Sequence, residues 1–192
     1  GLMPLPGRFT VKFSAVKEYA LENKLNLLQP TNLKDPIFLK ELADLKANLQ
    51  IVVAFRMLPK VVWEMPSLGT FNLHASLLPN YRGAAPINWA IINGEKTTGV
   101  TTFFIDDQID TGAMILNNSL EISEKENAGE LHDRLLNLGA ETVIETLHLI
   151  ENDQVKLTIQ SESDDLKTAY KLNRENCKID WSNGVGIDIG NE

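Results

Sequence analysis

Apolar and polar positions along this chain follow two patterns, one typical of helices and the other of strands. Apolar residues at helical spacing follow Ser14, which we expect to cap a first helix, and Asp35, whose neighbour Pro36 suits the first turn of a second. Residues 51–55 are apolar without a break, which predicts a strand buried on both faces of a parallel sheet. The shorter apolar run at residues 25–28 predicts another strand.

The chain continues this alternation of strand and helix patterns to about residue 150. One long amphipathic pattern begins near Ala128 and predicts a single helix, or two helices joined at Gly139. Helices that alternate with strands around an all-apolar strand predict an α/β fold with a doubly wound, mainly parallel sheet. The other expected elements are short helices at residues 59–65 and 85–93 and strands at residues 70–74, 99–105 and 113–122.

Composition narrows the class of protein without indicating a function. The chain has 192 residues, of which 43% are hydrophobic and 23% charged, as suits a globular domain with a real core. Its single cysteine, Cys177, excludes an internal disulfide and fits a reducing compartment. No apolar run approaches the roughly 20 residues that span a bilayer, and the first residues lack a signal-peptide pattern. We therefore expect a cytoplasmic protein with no membrane contact.

The net charge of −8 is distributed unevenly along the chain. Residues 1–60 carry nine lysines and arginines against five acidic residues, whereas residues 121–192 carry seven against sixteen. A basic first third is able to contact phosphates even though the rest of the chain repels them. A solvated surface explains the same charges equally well, so the charge permits nucleic-acid binding and does not require it.

Three polar side chains with complementary chemistry lie near the ends of predicted strands. Asn72 and His74 are two residues apart, so on a strand they point to the same face, and Asp110 follows a later strand. Asn72 is suited to donate its amide NH₂ to an oxyanion, and His74 to take a proton from an attacking amine and return one to the leaving nitrogen. Asp110 is suited to hydrogen-bond the imidazole. This set suffices for acyl transfer to an amine without a metal or a covalent nucleophile.

Each of these residues also has a structural interpretation. A histidine at a strand end is more often a hydrogen-bonding residue of the fold than a catalyst. Asn72 and Asp110 are also ordinary residues of turns. For each of the three residues by itself, the structural interpretation is favoured. Only their combination with the flanking motifs favours catalysis.

Those motifs resemble the active-site signature of the folate-dependent formyltransferases. The shared motifs are Asn72-Leu73-His74, Ser76-Leu77-Leu78-Pro79 and Asp110-Thr111-Gly112, and Asp110 lies 38 residues after Asn72. The resemblance implies the Rossmann-like fold of that family and catalytic roles for Asn72, His74 and Asp110. It also implies 10-formyltetrahydrofolate as the formyl donor and no metal.

The resemblance further implies where the folate would bind. The pterin is expected against the backbone of two loops, and the wall beside it is expected from the residues that follow His74. The implied folate-binding residues are Phe55, Arg56, Met57, Leu58, Asp106, Asp107, Gln108 and Ile109 in the two loops, and Ser76, Leu77, Leu78 and Pro79 in the wall.

Additional segments are similar to those of the family members that formylate methionyl-tRNA. This similarity implies that the acceptor is the α-amino group of methionine on the initiator tRNA, in the reaction that starts bacterial-type translation. It also implies that a basic loop inserts into the acceptor stem, with Arg8 and Lys12 as candidate phosphate contacts, although a merely solvated Arg8 is an equal alternative. The similar segments are residues 52–55, 81–90, 93–95 and 178–182.

By the same resemblance, residues 1–160 are expected to form the catalytic domain, and residues 161–192 a linker or the start of a C-terminal region. Family members open with a strand–helix–strand unit before the basic loop and continue into a β-barrel domain. We expect this sequence to lack both, either as part of a longer protein or as a truncated product. Two other functions stay open: N-formylation of a small amine such as an amino sugar nucleotide, and a non-catalytic folate- or tRNA-binding remnant.

Overall fold

A computed structural model describes residues 13–53 and 57–178 of the chain. The chain divides into two compact units, Gly1–Leu45 and Lys46–Glu192. Several sequence-based predictions fall outside the described residues. They are the functional predictions for Arg8, Lys12, Phe55 and Arg56, and most of the motif at residues 178–182.

The first unit contains two helices, α1 (Ala15–Glu22) and α2 (Pro36–Asp44), which begin where the sequence predicts. The Ser14 hydroxyl accepts a 3.3 Å hydrogen bond from a backbone N–H in the first turn of α1. The Asp35 carboxylate does the same for α2 at 3.0 Å. Both caps satisfy backbone donors that have no partner inside the helix, so the two predicted helix starts are confirmed.

The strand predicted at residues 25–28 is wrong. The backbone N–H of Leu25 bonds instead to the carbonyl oxygen of Ala20, at the end of α1. Within the described residues no other segment pairs with this run, and a strand requires such a partner for its backbone groups.

The second unit contains a four-stranded sheet, a separate pair of short strands and helices that cover the sheet. In chain order its elements are β1 (Gln50–Val53), α3 (Lys60–Trp63), β2 (Thr70–His74), β3 (Arg82–Gly83), α4 (Pro86–Ile92), β4 (Thr97–Phe104), β5 (Met114–Glu121), α5 (Ala128–Glu151) and β6 (Thr168–Ala169). The sheet has the order β1-β2-β4-β5, and β3 pairs with β6. Within the ranges that the structure describes, no helix is both long and apolar enough to cross a membrane.

The sheet is mixed, whereas the sequence predicts a mainly parallel one. β1 runs parallel to β2, but β2 pairs antiparallel with β4, and β4 pairs antiparallel with β5. Between β2 and β4 the chain forms only the seven-residue helix α4 and a short strand, and it re-enters the sheet beside the end of β2. β4 must therefore run in the opposite direction, since a parallel strand needs a connection that crosses the length of the sheet.

Strand β1 is less buried than its apolar sequence predicts. Ile51 and Val53 are 42% and 60% exposed. Among the described strands, β1 stands at one end of the sheet and pairs with β2 alone, so part of its surface has no neighbour to cover it. The prediction of a strand buried on both faces is wrong for these residues.

The core of the second unit lies between α5 and β4. Val100 of β4 and Leu131 and Leu135 of α5 are at most 3% exposed and form one cluster. The helix runs unbroken through Gly139, where a β-carbon would approach Leu73 of β2 to 2.9 Å. The small residue thus allows α5 to pack closely on β2, the strand that carries the predicted catalytic residues.

The chain beyond α5 returns to the sheet, which the sequence does not predict. Thr158 exchanges two 2.9 Å backbone hydrogen bonds with Met114 at the start of β5. Further on, β6 pairs in parallel with β3. This returning segment therefore reaches the loops that follow β2 and β4.

Candidate active site

Strand β2 carries Asn72 and His74 two residues apart, and hence on one face. His74 is 7% exposed, and its Nε2 atom lies 2.7 Å from the backbone carbonyl oxygen of Tyr81. Because a carbonyl oxygen only accepts hydrogen bonds, Nε2 carries the proton in the neutral imidazole and Nδ1 carries the lone pair. The base that this site offers is therefore Nδ1.

The carboxylate of Asp110 approaches that nitrogen from the turn between β4 and β5. Its Oδ2 atom lies 3.8 Å from Nδ1 of His74 and accepts a 2.9 Å hydrogen bond from the backbone N–H of Gly83. The sequence predicts a hydrogen bond between Asp110 and the imidazole, but 3.8 Å exceeds hydrogen-bonding distance. The Tyr81 carbonyl sets the tautomer instead, and at 3.8 Å the Asp110 carboxylate is close enough to stabilise an imidazolium.

The Asp-Thr-Gly motif of this turn also has a backbone function. Asp110 has a φ of 57°, in the left-handed region that Asp and Asn tolerate better than most residues. At Gly112 a β-carbon would come within 1.7 Å of the carbonyl oxygen of Phe104. The turn therefore needs these residue types for its shape.

The side-chain oxygen of Asn72 is buried, and it has no hydrogen-bond partner in the part of the chain that the structure describes. Leaving a buried amide oxygen unpaired costs about 1–3 kcal/mol. An asparagine in that position stabilises the fold less than an apolar residue would. This observation favours a functional interpretation of Asn72 over a structural one.

The predicted folate wall, residues 76–79, is anchored to β4. The hydroxyl of Thr101 donates to the carbonyl of Ser76 at 2.7 Å and accepts from the backbone N–H of Leu78 at 3.1 Å. Ser76 and Leu78 are 1% and 5% exposed, so their side chains shape the loop from inside. The partly exposed residues of the wall are Leu77 and Pro79.

The second predicted folate loop is organised by Asp106. Its carboxylate accepts hydrogen bonds from the backbone N–H of Gln108 at 2.9 Å and from the Thr111 hydroxyl at 2.8 Å. Asp107 and Ile109 are exposed. The loop is thus ordered by its own side chains and presents an accessible surface.

The described part of the first predicted folate loop is also accessible. Met57 is 68% exposed and Leu58 is partly buried. Just beyond it, the Lys60 ammonium lies 3.6 Å from the Asp107 carboxylate, so an exposed ion pair joins α3 to the second loop. The start of α3, next to the first predicted folate loop, therefore lies close to the second loop.

Tyr81 contributes a second contact that the sequence did not suggest. Its phenol donates to the Glu95 carboxylate, which also pairs with the Lys167 ammonium. Burial raises the pKa of Tyr81, and its hydrogen bond to Glu95 raises that pKa further. Partial burial opposes ionisation of Glu95, but hydrogen bonds from Lys167 and Tyr81 outweigh it and lower the Glu95 pKa. The network ties the returning segment to the loop that supplies the carbonyl partner of His74.

Gln160 is a further residue of the site that sequence reasoning missed. It is 7% exposed and donates hydrogen bonds to the carbonyls of Asp110 and Gly112. It lies 50 residues after Asp110, in a polar stretch with no recognisable motif. Only the tertiary structure could identify it.

The fold and the site together define an α/β domain in which an Asn-x-His strand and an Asp-containing turn meet. A family model described as Formyl transferase matches residues 8–147. This match covers more than half of the chain. The chain therefore belongs to the formyl transferase family, and the α/β, Rossmann-like fold predicted from the sequence is confirmed.

Curated relatives extend this similarity over most of the chain. The methionyl-tRNA formyltransferase of Flavobacterium johnsoniae is 75% identical over 181 residues, which make up 94% of this chain and 57% of that protein. The protein of the same name from Bacteroides thetaiotaomicron is 54% identical over 178 residues, 91% of this chain and 55% of its own length. The chain thus spans about half the length of the curated relatives it matches.

Solved structures share the fold at lower identity. HypX from Aquifex aeolicus in complex with tetrahydrofolic acid has a TM-score of 0.65 and 26% identity, over 77% of this chain and 25% of that one. The formyltransferase PseJ from Anoxybacillus kamchatkensis has a TM-score of 0.64 and 19% identity, over 84% of this chain and 83% of its own. These likenesses confirm the Rossmann-like formyltransferase fold.

Proposed function

We propose that this protein transfers the formyl group of 10-formyltetrahydrofolate to the α-amino group of methionine on initiator tRNA. The observation that carries the proposal is the approach of His74 and Asp110 to 3.8 Å at the end of β2, the strand that also holds Asn72. Relatives named methionyl-tRNA formyltransferase, at 75% and 54% identity, support the choice of reaction and acceptor. A cytoplasmic location follows from that acceptor, because translation takes place there.

In this proposal His74 moves the proton. Nδ1 takes a proton from the amino group as the new bond forms between its nitrogen and the formyl carbon. The proton returns to the departing nitrogen as the old bond to the formyl carbon breaks, so His74 ends each cycle neutral. General acid–base catalysis of this kind contributes about 10²- to 10⁴-fold to a rate.

Asp110 and Asn72 stabilise charge in the same step. The Asp110 carboxylate stabilises the imidazolium that exists between the two proton transfers. In this proposal the Asn72 NH₂ donates a hydrogen bond to the formyl oxygen as that oxygen gains negative charge. Removing such a donor costs about 3–4 kcal/mol of transition-state stabilisation. Neither residue needs to change its own protonation state.

The residues around the site fit a reduced folate. In this proposal the pterin lies against the exposed residues 106–109, and the exposed or partly exposed side chains of Met57, Leu77 and Pro79 supply apolar surface. The bound folate would supply the formyl group. The complex of HypX with tetrahydrofolic acid, at 26% identity, supports this assignment.

We also propose that Arg8 and Lys12 contact phosphates of the acceptor stem. The support is the sequence resemblance described above and the excess of basic residues in the first sixty positions. Contacts to phosphates fix the orientation of a nucleic acid without reading its sequence. They would therefore orient the bound tRNA without selecting the initiator.

The test is a formyl-transfer assay on the complete gene product with 10-formyltetrahydrofolate and methionyl-initiator tRNA. A sugar nucleotide that carries an amine serves as the competing acceptor, and His74→Gln is the matched inactive control. We expect the wild type to form formyl-methionyl-tRNA. The variant should form it at least about 100-fold more slowly. Transfer to the sugar amine alone would replace the proposed acceptor. Binding of tetrahydrofolate without transfer to either amine would indicate a non-catalytic binding protein.

A further inference from the structure

The side chain of Gln160 makes four hydrogen bonds in a buried position. Its Nε2 atom donates to the carbonyl oxygens of Asp110 at 2.9 Å and Gly112 at 2.8 Å. Its Oε1 atom accepts from Nε of Arg82 at 2.9 Å and from Nη2 at 2.7 Å. Both donors and both acceptor sites of the amide are thus used, and only an amide of this reach satisfies all four partners.

The backbone around Gln160 is itself held in place. Two residues earlier, Thr158 forms its pair of 2.9 Å hydrogen bonds with Met114. This bridge places the returning segment beside the start of β5, next to the Asp-containing turn. The Gln160 side chain therefore reaches the turn from a backbone position that these hydrogen bonds fix.

The contacts of Gln160 close a ring around Asp110. The Asp110 carboxylate is held by the backbone N–H of Gly83, and the Asp110 carbonyl is held by Gln160. Gln160 in turn binds the guanidinium of Arg82, the neighbour of Gly83 along β3. The orientation of the Asp110 carboxylate toward His74 thus depends on partners at both ends of the residue.

We propose that Gln160 is a positioning residue, which acts through Asp110 to keep the carboxylate 3.8 Å from Nδ1 of His74. The inference rests on the proposed function for its effect on turnover. Gln160 does not touch the reacting atoms, so its loss should change kcat more than KM. A residue that only stabilises the fold would lower activity whether or not Asp110 is present.

Two substitutions distinguish the hydrogen bonds that Gln160 donates from those that it accepts. Gln160→Glu keeps acceptor oxygens for Arg82 but replaces both donors, so a carboxylate faces the carbonyls of Asp110 and Gly112. Gln160→Leu removes all four hydrogen bonds without adding charge. Gln154→Glu, at an exposed glutamine six positions earlier, is the matched control for the added charge.

We expect Gln160→Glu and Gln160→Leu to lower kcat by about 10- to 100-fold and to change KM for either substrate by less than about threefold. The Gln154→Glu control should stay within about twofold of wild type. When Gln160→Leu is added to Asp110→Asn, the further loss of kcat should be less than about threefold. The effects of residues that act as one unit are not additive. An equal loss in both backgrounds would overturn the inference, as would wild-type kcat in both Gln160 variants.

A spectroscopic measurement makes this test independent of turnover. The imidazole resonances of His74 should move in both Gln160 variants, whereas those of His132 and His148 on α5 should not. In an Asp110→Asn background, the Gln160 substitutions should move the His74 resonances much less. If the wild type transfers no formyl group but His74 responds in this way, the proposed function fails and the positioning role stands. If the wild type is active and His74 does not respond, the positioning role fails.

Discussion

Nδ1 of His74 and Oδ2 of Asp110 lie 3.8 Å apart, and the same Oδ2 atom accepts a hydrogen bond from the backbone N–H of Gly83. This separation is too long for a hydrogen bond but short enough for strong attraction between an imidazolium and a carboxylate. The Tyr81 carbonyl already determines which ring nitrogen of neutral His74 carries the proton. Asp110 therefore contributes when His74 is charged, which is the state between the two proposed proton transfers.

Replacing His74 with glutamine should abolish most turnover while leaving the loop intact. Glutamine keeps a donor for the Tyr81 carbonyl but has no basic nitrogen, so kcat should fall by about 10²- to 10⁴-fold. His74→Ala should also lower the free energy of unfolding by about 1–3 kcal/mol, because the Tyr81 carbonyl loses its partner. Formyl-transfer assays and urea unfolding measure the two effects. Turnover of the glutamine variant within about tenfold of wild type would assign the proton transfer to another group.

Asp110→Asn tests the charge of the carboxylate by itself. Asparagine also tolerates the φ of 57° and keeps an oxygen that accepts from Gly83, so the turn should retain its shape. We expect kcat to fall by about 10- to 100-fold, equivalent to about 1.4–2.7 kcal/mol of transition-state stabilisation. Tetrahydrofolate affinity, measured by calorimetry, should hardly change. A parallel loss of folate affinity would make Asp110 a folate ligand.

The Glu95–Lys167 pair should make stability depend on pH in the acid range. The pKa of folded Glu95 lies below the ordinary value of 4.5, so the ionised form stabilises the fold above that pH, and the contribution is lost as pH falls through the lower folded pKa. Urea-unfolding free energies of wild type and Glu95→Gln should therefore differ at pH 7 and converge below pH 4.5. Glu121→Gln, at an exposed glutamate at the end of β5, is the control. A difference that stays constant into the acid range would remove this role from Glu95.

Alanine at Gly112 should cost far more stability than alanine at Gly94. At Gly112 the new β-carbon meets a backbone oxygen at 1.7 Å, so the turn must move. At Gly94 no atom lies within 4 Å, and only the left-handed φ of 64° opposes the change, at about 1–2 kcal/mol. Chemical denaturation should show a loss above about 3 kcal/mol for Gly112→Ala. Equal losses in the two variants would contradict the close approach of Gly112 to β4.

Arg8→Ala should weaken tRNA binding and reduce its dependence on salt. One lost phosphate contact lowers the slope of log K against log salt by about 0.9. Titrations of methionyl-initiator tRNA at several salt concentrations give this slope. Lys156→Ala removes an exposed lysine from the acidic last third and should leave the slope unchanged. An unchanged slope in Arg8→Ala would place Arg8 outside the interface.

Local features of the chain were predictable because their causes lie within a few residues. The caps at Ser14 and Asp35 and the long amphipathic pattern after Ala128 each gave the helix that was expected. The failures at residues 25–28 and at β1 share a cause. An apolar run predicts that a segment avoids water, but whether it becomes a buried strand depends on a partner that the run itself does not encode.

The sequence by itself determined which groups are available for chemistry, since Asn72, His74 and Asp110 are recognisable from residue type, spacing and flanking motifs. Only the tertiary structure decided how those groups meet: that Tyr81 rather than Asp110 orients the neutral imidazole, and that Gln160 holds the Asp110 turn. The physical reason is the range of the interactions. Capping and periodicity act between near neighbours, whereas a hydrogen bond between residues 50 positions apart exists only after the whole sheet has formed.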